Sequence, residues 1–359
     1  DLPLSVGTDS SVDLTVAARY LFGAPGAGLA IEGEVLLRAA EGLEAFPGYV
    51  FGRHDQPFSA QMSSLEGGET DEAGNAVIPV FLPIVEDPHR PLEAKVTIRV
   101  AEGSGRPVER SVTKKLSPAD PMIGIKPLFD GVAAEGGEAR FQIIAVDANE
   151  AMVALPVAWK VMRVEYDYQW YQSYGNWSWE PVVSRSIVAE GESNLGAGPV
   201  EIAADVDWGT YEILVERQDG GKTASSMEFY AGWYAPADAS ATPDTLELSL
   251  DKPAYKPGDT ATLRIVPRAA GTALVTVLSN RLVTMKAVEV KEGENLVQLP
   301  VTDEWGAGVY VTASVLRPMD VAAGRNPARA LGLTHASIDP GARALAASVE
   351  VAAEAAPRG

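Results

Sequence analysis

Apolar and polar residues alternate with a period of two along most of the chain, and sustained 3.6-residue periodicity is scarce. Near the N-terminus, Val12, Leu14 and Val16 fall on one face of a strand, with polar residues between them. The same alternation predicts strands at residues 246–250, 261–265 and 309–315. The pattern therefore predicts an all-β chain built from short strands.

Glycine-rich turn signals separate these strands. Glu66-Gly67-Gly68 and Asp219-Gly220-Gly221 supply residues that adopt positive φ in turns. Short strands with regularly spaced turns are typical of β-sandwiches. Because one sandwich takes about 100 residues, the 359 residues of the chain indicate two to three of them.

Two proline-rich stretches interrupt the strand pattern, at residues 116–121 and 234–243. Prolines cannot donate to a strand ladder, so each stretch is expected to cross between domains in an extended form. We predict tandem immunoglobulin-like antiparallel β-sandwich domains at residues 1–117, 118–242 and 243–340. Residues 341–359 would then begin a further truncated domain or a linker, with a first strand at 345–351.

An internal echo supports this repetition. The segment Asp207-Trp208-Gly209-Thr210-Tyr211 resembles Trp305-Gly306-Ala307-Gly308-Val309-Tyr310. In each, a turn delivers a tyrosine to the start of a late strand. The echo favours sandwiches of one type in the second and third domains.

Composition narrows the function. A formal charge of -20 argues against binding to nucleic acid or to an anionic membrane surface, because proteins bind both through clustered Lys and Arg. The longest apolar runs are strand-sized, so no membrane span is predicted. The chain has no cysteine, which excludes disulfides and thiol chemistry within it. It starts at Asp1 without a methionine or an apolar signal core, as expected of a mature or excised segment.

The most unusual local feature is an aromatic hairpin. Tyr166, Tyr168 and Trp170 share one strand face, Trp177 and Trp179 share a face of the return strand, and a turn at 173–176 joins them. Cross-strand aromatic pairs stabilise such a ribbon by about 0.2–1 kcal/mol each. The hairpin is predicted to brace its own sandwich or a neighbouring domain, with a partner or sugar surface as the alternative. The candidate contact residues are Tyr166, Tyr168, Trp170, Tyr171, Tyr174, Trp177 and Trp179.

Two motifs match catalytic or nucleotide-binding patterns only partly. Ser111-Val112-Thr113-Lys114 reads Ser-x-x-Lys, but it lies on an alternating strand without the other lactamase motifs. Gly220-Gly221-Lys222-Thr223 matches the end of a phosphate loop, but Glu216 stands where that loop needs glycine. We predict a hairpin turn there, and no catalytic residue and no cofactor.

Metal sites are not predicted either. His54, His89 and His335 are far apart in sequence and lack ligand spacing, so solvated loop histidines are expected. Asp205 and Asp207 share a strand face, but the Trp-Gly that follows breaks an EF-hand pattern, and calcium at a domain edge stays an alternative. Separated carboxylates elsewhere could form a glycosidase pair, although nothing in the sequence selects one.

The third domain carries Leu248-Ser249-Leu250-Asp251-Lys252-Pro253-Ala254-Tyr255-Lys256-Pro257-Gly258-Asp259. Pro257-Gly258 suits a type II turn, Tyr255 would lie over the sandwich end, and Asp259 would cap the turn. The segment resembles the macroglobulin-type β-sandwich of alpha-2-macroglobulins and complement components. The resemblance to bacterial alpha-2-macroglobulins extends over nearly the whole chain, including Ala18-Arg19-Tyr20-Leu21-Phe22-Gly23-Ala24-Pro25 and Phe46-Pro47-Gly48-Tyr49-Val50-Phe51-Gly52.

The resemblance implies a non-catalytic segment of an endopeptidase inhibitor. Members of this family trap a peptidase after it cuts an exposed bait segment, and many attach it through a Cys-Gly-Glu-Gln thioester. The thioester would lie outside this cysteine-free chain, and we expect the bait to lie elsewhere too, leaving these domains as structural scaffold. The implied partners are peptidases, through the full-length parent, and neighbouring domains. The implied compartment is the bacterial periplasm or cell envelope.

Two other functions fit the same fold, because fold alone does not decide function. One is an adhesive or structural array at the cell surface. The other is an accessory carbohydrate-binding module, which the aromatic hairpin motivates.

Overall fold

A computed structural model describes residues 4–6, 11–82, 85, 88–101, 105, 107–118, 120–173, 176–233, 244–317, 328–341 and 344. The chain divides into two compact units, Asp1–Gly232 and Trp233–Gly359. The first unit contains two β-sandwiches and the second contains one. Among the described residues, the sole helical element is a single 3-10 turn, and no helix has the length and hydropathy needed to cross a bilayer.

Nine strands lie in the described part of the first sandwich, and the fourth of them pairs with a strand of the second sandwich. They are β1 (Leu4–Val6), β2 (Ser11–Ala17), β3 (Ala30–Ala39), β4 (Val50–Phe51), β5 (Gln61–Ser64), β6 (Gly68–Glu69), β7 (Asn75–Phe81), β8 (Leu92–Ala101) and β9 (Val108–Pro118). The main sheet has the order β1-β9-β8-β3-β5, with β6 also paired to β3, and β2 and β7 form a separate ribbon. Alternate residues of β3 and β8, such as Val35, Leu37, Leu92 and Ala94, face the core.

Seven strands lie in the described part of the second sandwich. They are β10 (Met122–Pro127), β11 (Gly137–Val146), β12 (Leu155–Ser173), β13 (Asn176–Leu195), β14 (Val200–Val206), β15 (Gly209–Arg217) and β16 (Ala224–Ala231). One sheet has the order β13-β12-β15-β16. The other has the order β14-β11-β10-β4, so its last strand comes from the first sandwich. This shared sheet joins the two sandwiches within one compact unit.

The second unit is the third sandwich. It contains β17 (Glu247–Leu250), β18 (Ala254–Tyr255), β19 (Thr260–Val266), β20 (Gly271–Leu278), β21 (Leu282–Val290), β22 (Asn295–Pro300), the 3-10 turn Asp303–Trp305, β23 (Gly308–Arg317) and β24 (Ala328–Ile338). The sheets have the orders β17-β19-β22 and β18-β24-β23-β20-β21. Trp305 and Tyr255 are the largest side chains in the buried core between them.

The tyrosine motif of the third sandwich has the predicted geometry. The Tyr255 hydroxyl donates to Asp251 Oδ1 at 2.7 Å and accepts from the Lys252 amide at 3.1 Å. Burial raises the pKa of Tyr255, and the hydrogen bond to Asp251 raises it further. The Lys256 amide donates to Asp259 Oδ2 at 2.8 Å, and Gly258 takes a φ of 95°, as the type II turn requires.

The antiparallel all-β prediction is confirmed, including the strands expected at 246–250, 261–265 and 309–315. Two details differ from the sequence analysis. Residues 116–118 do not leave the sheet, because β9 continues to Pro118 in parallel register with β1. The two tyrosines of the internal echo also face opposite ways: Tyr211 is 2% exposed and Tyr310 is 52% exposed.

The expected second linker at 234–243 and the expected strand at 345–351 lie outside the described residues. The division into domains at 117, 242 and 340 stays a proposal.

Candidate functional site

The predicted aromatic hairpin is the paired part of β12 and β13, which runs from Leu155 opposite Leu195 to Ser173 opposite Asn176. The neighbouring strand β15 covers β12 only from Val157 to Val164. Residues 165–173 therefore extend beyond the sheet with β13 as their sole described strand partner, a length of about 30 Å at about 3.3 Å per residue.

The strand register places five of the seven candidate aromatic residues on one face of this ribbon. Trp170 is directly opposite Trp179, and Gln172 is opposite Trp177. Cross-strand partners share a face, so both tryptophans of the return strand join the face of Tyr166, Tyr168 and Trp170. Tyr171 is opposite Ser178 on the other face. Tyr174 lies outside the described residues, as do the side chains of residues 167–179.

Tyr166 marks the base of the projection. Its hydroxyl lies 3.1 and 3.2 Å from the two carboxylate oxygens of Glu228 on β16, to which it donates. Burial, followed by the negative charge of Glu228, raises the pKa of Tyr166 from 10.0 to about 12. The phenol therefore stays protonated at neutral pH and anchors the hairpin to the far edge of its own sheet.

An ion pair with one buried partner lies beside this tyrosine. Arg185 Nε on β13 is 2.6 Å from Glu212 Oε2 on β15, and the Glu212 side chain is only 2% exposed. The hydrogen bond to Glu212 raises the pKa of Arg185 further above its usual range. A carboxylate this buried needs a charged or hydrogen-bonding partner to offset its lost hydration. The pair therefore fixes β13 across the face of the sheet.

A loop from the first sandwich closes the same site. His54 Nδ1 is 2.7 Å from Ser226 Oγ and 3.8 Å from Glu212 Oε1, while His54 Nε2 is 3.8 Å from Glu228 Oε2. His54 lies in a solvent-exposed loop, as expected, and its ring also lies between two carboxylates of the second sandwich. The loop that contains His54 therefore meets the second sandwich at the base of the hairpin.

Backbone hydrogen bonds hold that loop in place. The Gly52 amide donates to Ser225 Oγ at 2.8 Å, and the Ser225 hydroxyl donates onward to the Ile123 carbonyl at 2.6 Å. The Ser226 amide returns a bond to the Gly52 carbonyl at 3.3 Å. Ser225 is fully buried, so its hydroxyl satisfies backbone groups from both sandwiches.

An apolar cluster lies beneath these polar contacts. It unites residues of the first sandwich with residues of β10 and β11, namely Leu43, Tyr49, Phe51, Met122, Ile144 and Val146. Gly124 allows the closest approach, because a Cβ there would lie 2.9 Å from the Phe51 ring. We call this cluster the joint. The joint was not predicted from the sequence; the two-residue spacing of Tyr49 and Phe51 indicates a buried strand there but not its partner.

The other motifs do not converge on this site. Ser111 and Lys114 are exposed on β9, opposite Thr97 and Ala94. Gly220-Gly221 lies in the turn between β15 and β16, as predicted. His335 lies against the ring of Tyr310 at 5.1 Å. Within the described part of the chain, no three acidic or histidine side chains form a group suited to a metal ion.

Family models match three consecutive parts of the chain. A model of the bacterial alpha-2-macroglobulin MG5 domain matches residues 3–118, and one of bacterial macroglobulin domain 6 matches residues 124–233. A model of the alpha-2-macroglobulin bait region domain matches residues 246–359. This third match corrects the expectation that the chain is scaffold alone, with the bait elsewhere. The strands of the third domain alternate as in a regular sandwich, so the pattern did not distinguish a bait region domain from a scaffold domain.

Curated relatives agree with these matches. An alpha-2-macroglobulin of Xylella fastidiosa is 31% identical over 330 residues, which cover 89% of this chain and 20% of the relative. The alpha-2-macroglobulin of Escherichia coli is 29% identical, with 96% of this chain and 22% of the relative covered. The chain thus spans about a fifth of the length of the relatives it matches.

Solved structures give the same picture. The native conformation of E. coli alpha-2-macroglobulin matches with a TM-score of 0.60 and 27% identity, over 94% of this chain and 22% of that chain. A variant of Salmonella alpha-2-macroglobulin matches with a TM-score of 0.59 and 26% identity, over 94% of this chain and 23% of that chain.

Proposed function

The chain belongs to the bacterial alpha-2-macroglobulin family, and we propose that it is the part of a peptidase trap that supports and presents the segment a peptidase cleaves. The observation that carries this proposal is the match of residues 246–359 to the bait region domain, directly after two macroglobulin domains. In this account the first compact unit is the support, and the second unit carries the cleaved segment.

The physical basis is the pairing of backbone groups within strands. A peptidase needs several unpaired residues in extended form, whereas a paired strand has its backbone groups engaged with neighbours. The joint and the ion pair at the hairpin base hold the first unit together. Within the bait region match, Gly308–Arg317 and Ala328–Ile338 are paired strands. We propose that cleavage begins at a basic residue of this match outside these two strands.

The chain itself is proposed to be non-catalytic and to bind no cofactor. It also lacks the cysteine that a thioester needs, so covalent capture of a peptidase would depend on the parent. From its bacterial alpha-2-macroglobulin relatives, we propose the periplasm or cell envelope as its location. We also propose that the hairpin is a brace, supported by the contacts of Tyr166 and Arg185 at its base.

Limited proteolysis tests the support-and-bait division. Trypsin at a low ratio to the chain should cut first after Arg325, Arg343 or Arg358, and intact-mass spectrometry should show residues 1–232 uncut at that stage. A chain with all three arginines changed to Gln is the matched control, and its first cut should be markedly slower. A first cut within residues 1–232 of the unmodified chain would contradict the proposal.

A further inference from the structure

The outer face of the five-stranded sheet in the third sandwich is apolar. Strands β20, β23 and β24 direct Val275, Val311 and Ala336 into the core, so their neighbours along each strand face outward. The register aligns Leu278 with Tyr310, Leu274 with Ser314 and Leu331, and Thr276 with Met285, Thr312 and Leu333. We call this surface the outer face.

The large side chains on this face remain exposed in the structure. Their relative exposure runs from 37% at Leu274 to 57% at Met285. The set comprises Leu274, Leu282, Met285, Tyr310, Leu316, Leu331 and Leu333. Seven such residues on adjacent strands make one continuous patch and not scattered single side chains.

The centre of the outer face carries no charge. Its polar members are hydroxyls, and Thr276 and Thr312 hydrogen bond to each other with 2.5 Å between their oxygens. At the margins of the patch, Arg329 and Glu289 lie in the row of Leu316, and His335 lies in the row of Tyr310. This is unusual in a chain with 49 acidic residues and a net charge of -20.

The main sheet of the first sandwich shows the contrast. Its outward positions carry ion pairs, with Arg38 bound to Glu93 and Arg99 bound to both Glu34 and Glu109. Such a charged face is suited to water, whereas a continuous apolar patch of more than a few hundred Å² marks a contact surface on a soluble protein. The outward face of the first sandwich is therefore suited to water, and the outer face of the third sandwich is suited to a contact.

We infer that the outer face is a docking surface for an apolar face of another domain of the same polypeptide, outside residues 1–359. The relatives that the chain matches are about five times its length, so most of such a polypeptide lies beyond it. A tethered domain is present at high effective concentration. A second copy is a poorer occupant, because each copy carries a charge of -20. This inference does not depend on peptidase trapping.

Cysteine labelling tests the inference, because the chain has no cysteine of its own. Leu331→Cys and, in a separate variant, Leu274→Cys are introduced into the chain and into the full-length polypeptide. Labelling by a maleimide is followed at that residue by peptide mass spectrometry, after circular dichroism verifies that each variant is folded. Gln298→Cys, on an exposed position of the opposite sheet, is the matched control.

Both outer-face cysteines should react freely in the chain and at least about tenfold more slowly in the full-length polypeptide, as a covered surface requires. Gln298→Cys should react at similar rates in both. Equal rates for the outer-face cysteines in chain and full-length polypeptide would overturn the inference. Labelling of the isolated chain that slows as its concentration rises would also overturn it, in favour of a second copy.

Discussion

Removing the Phe51 ring should uncouple the two sandwiches of the first unit. Phe51 belongs to the first sandwich by sequence, but it pairs with Gly124 of the second and is 6% exposed in the joint. The ring also lies over Gly124, where a Cβ would come within 2.9 Å of it. Phe51→Ala therefore leaves a cavity at the place where the two cores meet.

The magnitude follows from this burial. Phe→Ala at a fully buried site costs about 3–5 kcal/mol, part of it from the cavity that remains. The joint lies between two sandwiches that can partly close around the gap, so we expect about 3 kcal/mol. A domain has about 5–15 kcal/mol of total stability. The loss is therefore large enough to separate the unfolding of one sandwich from that of the other.

Hydrogen exchange in increasing urea measures this coupling, with peptides from β8 reporting the first sandwich and peptides from β15 reporting the second. The two should open together in the unmodified chain and at different urea concentrations in Phe51→Ala. Phe81→Ala is the control, because Phe81 is 58% exposed; it should change stability by less than about 0.5 kcal/mol. The reasoning is refuted if Phe51→Ala behaves like Phe81→Ala.

Three further changes test the hairpin base and the hairpin itself. Arg185→Ala leaves the Glu212 carboxylate without its closest cation and should cost about 2 kcal/mol in urea unfolding, less than a fully buried pair because Arg185 is partly solvated; Arg185→Lys should recover part of it. The folded-state pKa of Tyr166 is raised from 10.0 to about 12, so its stabilisation is complete below pH 10 and lost as pH rises to 12. The stability difference between the unmodified chain and Tyr166→Phe should shrink over that window. Replacing Trp170 and Trp177 by Ala should weaken coupling between the sandwiches; unchanged stability with loss of binding on a glycan array would favour a sugar site.

Much of the fold could be predicted because the evidence is local. The alternation at 261–265 and 309–315 was enough to locate β19 and β23, since side chains of period two have one core to face. The hairpin register followed from a turn centred between two aromatic runs. The turn after Tyr255 could be predicted from Pro257-Gly258, because proline at i+1 and a glycine with positive φ at i+2 are typical of a type II turn.

The joint could not be predicted in the same way, because it depends on contacts between distant parts of the chain. Nothing near His54 indicates that it meets Ser226 and Glu212. The two tyrosines of the internal echo show a related limit of local sequence. Gly209 and Gly308 each begin a strand, and each tyrosine follows its glycine by two residues, so the local sequence does not distinguish the two tyrosines. Tyr211 is buried and Tyr310 is exposed, because the core lies on opposite sides of these positions.

The most direct test of the central claim follows a peptidase and the full-length polypeptide together. Trypsin is titrated with the polypeptide while casein cleavage, cleavage of a small chromogenic peptide and the first cut site are measured in the same samples. The account predicts a first cut within residues 246–359, with casein cleavage falling in proportion to that cut while small-peptide cleavage persists. Full loss of casein cleavage with residues 246–359 intact would contradict it.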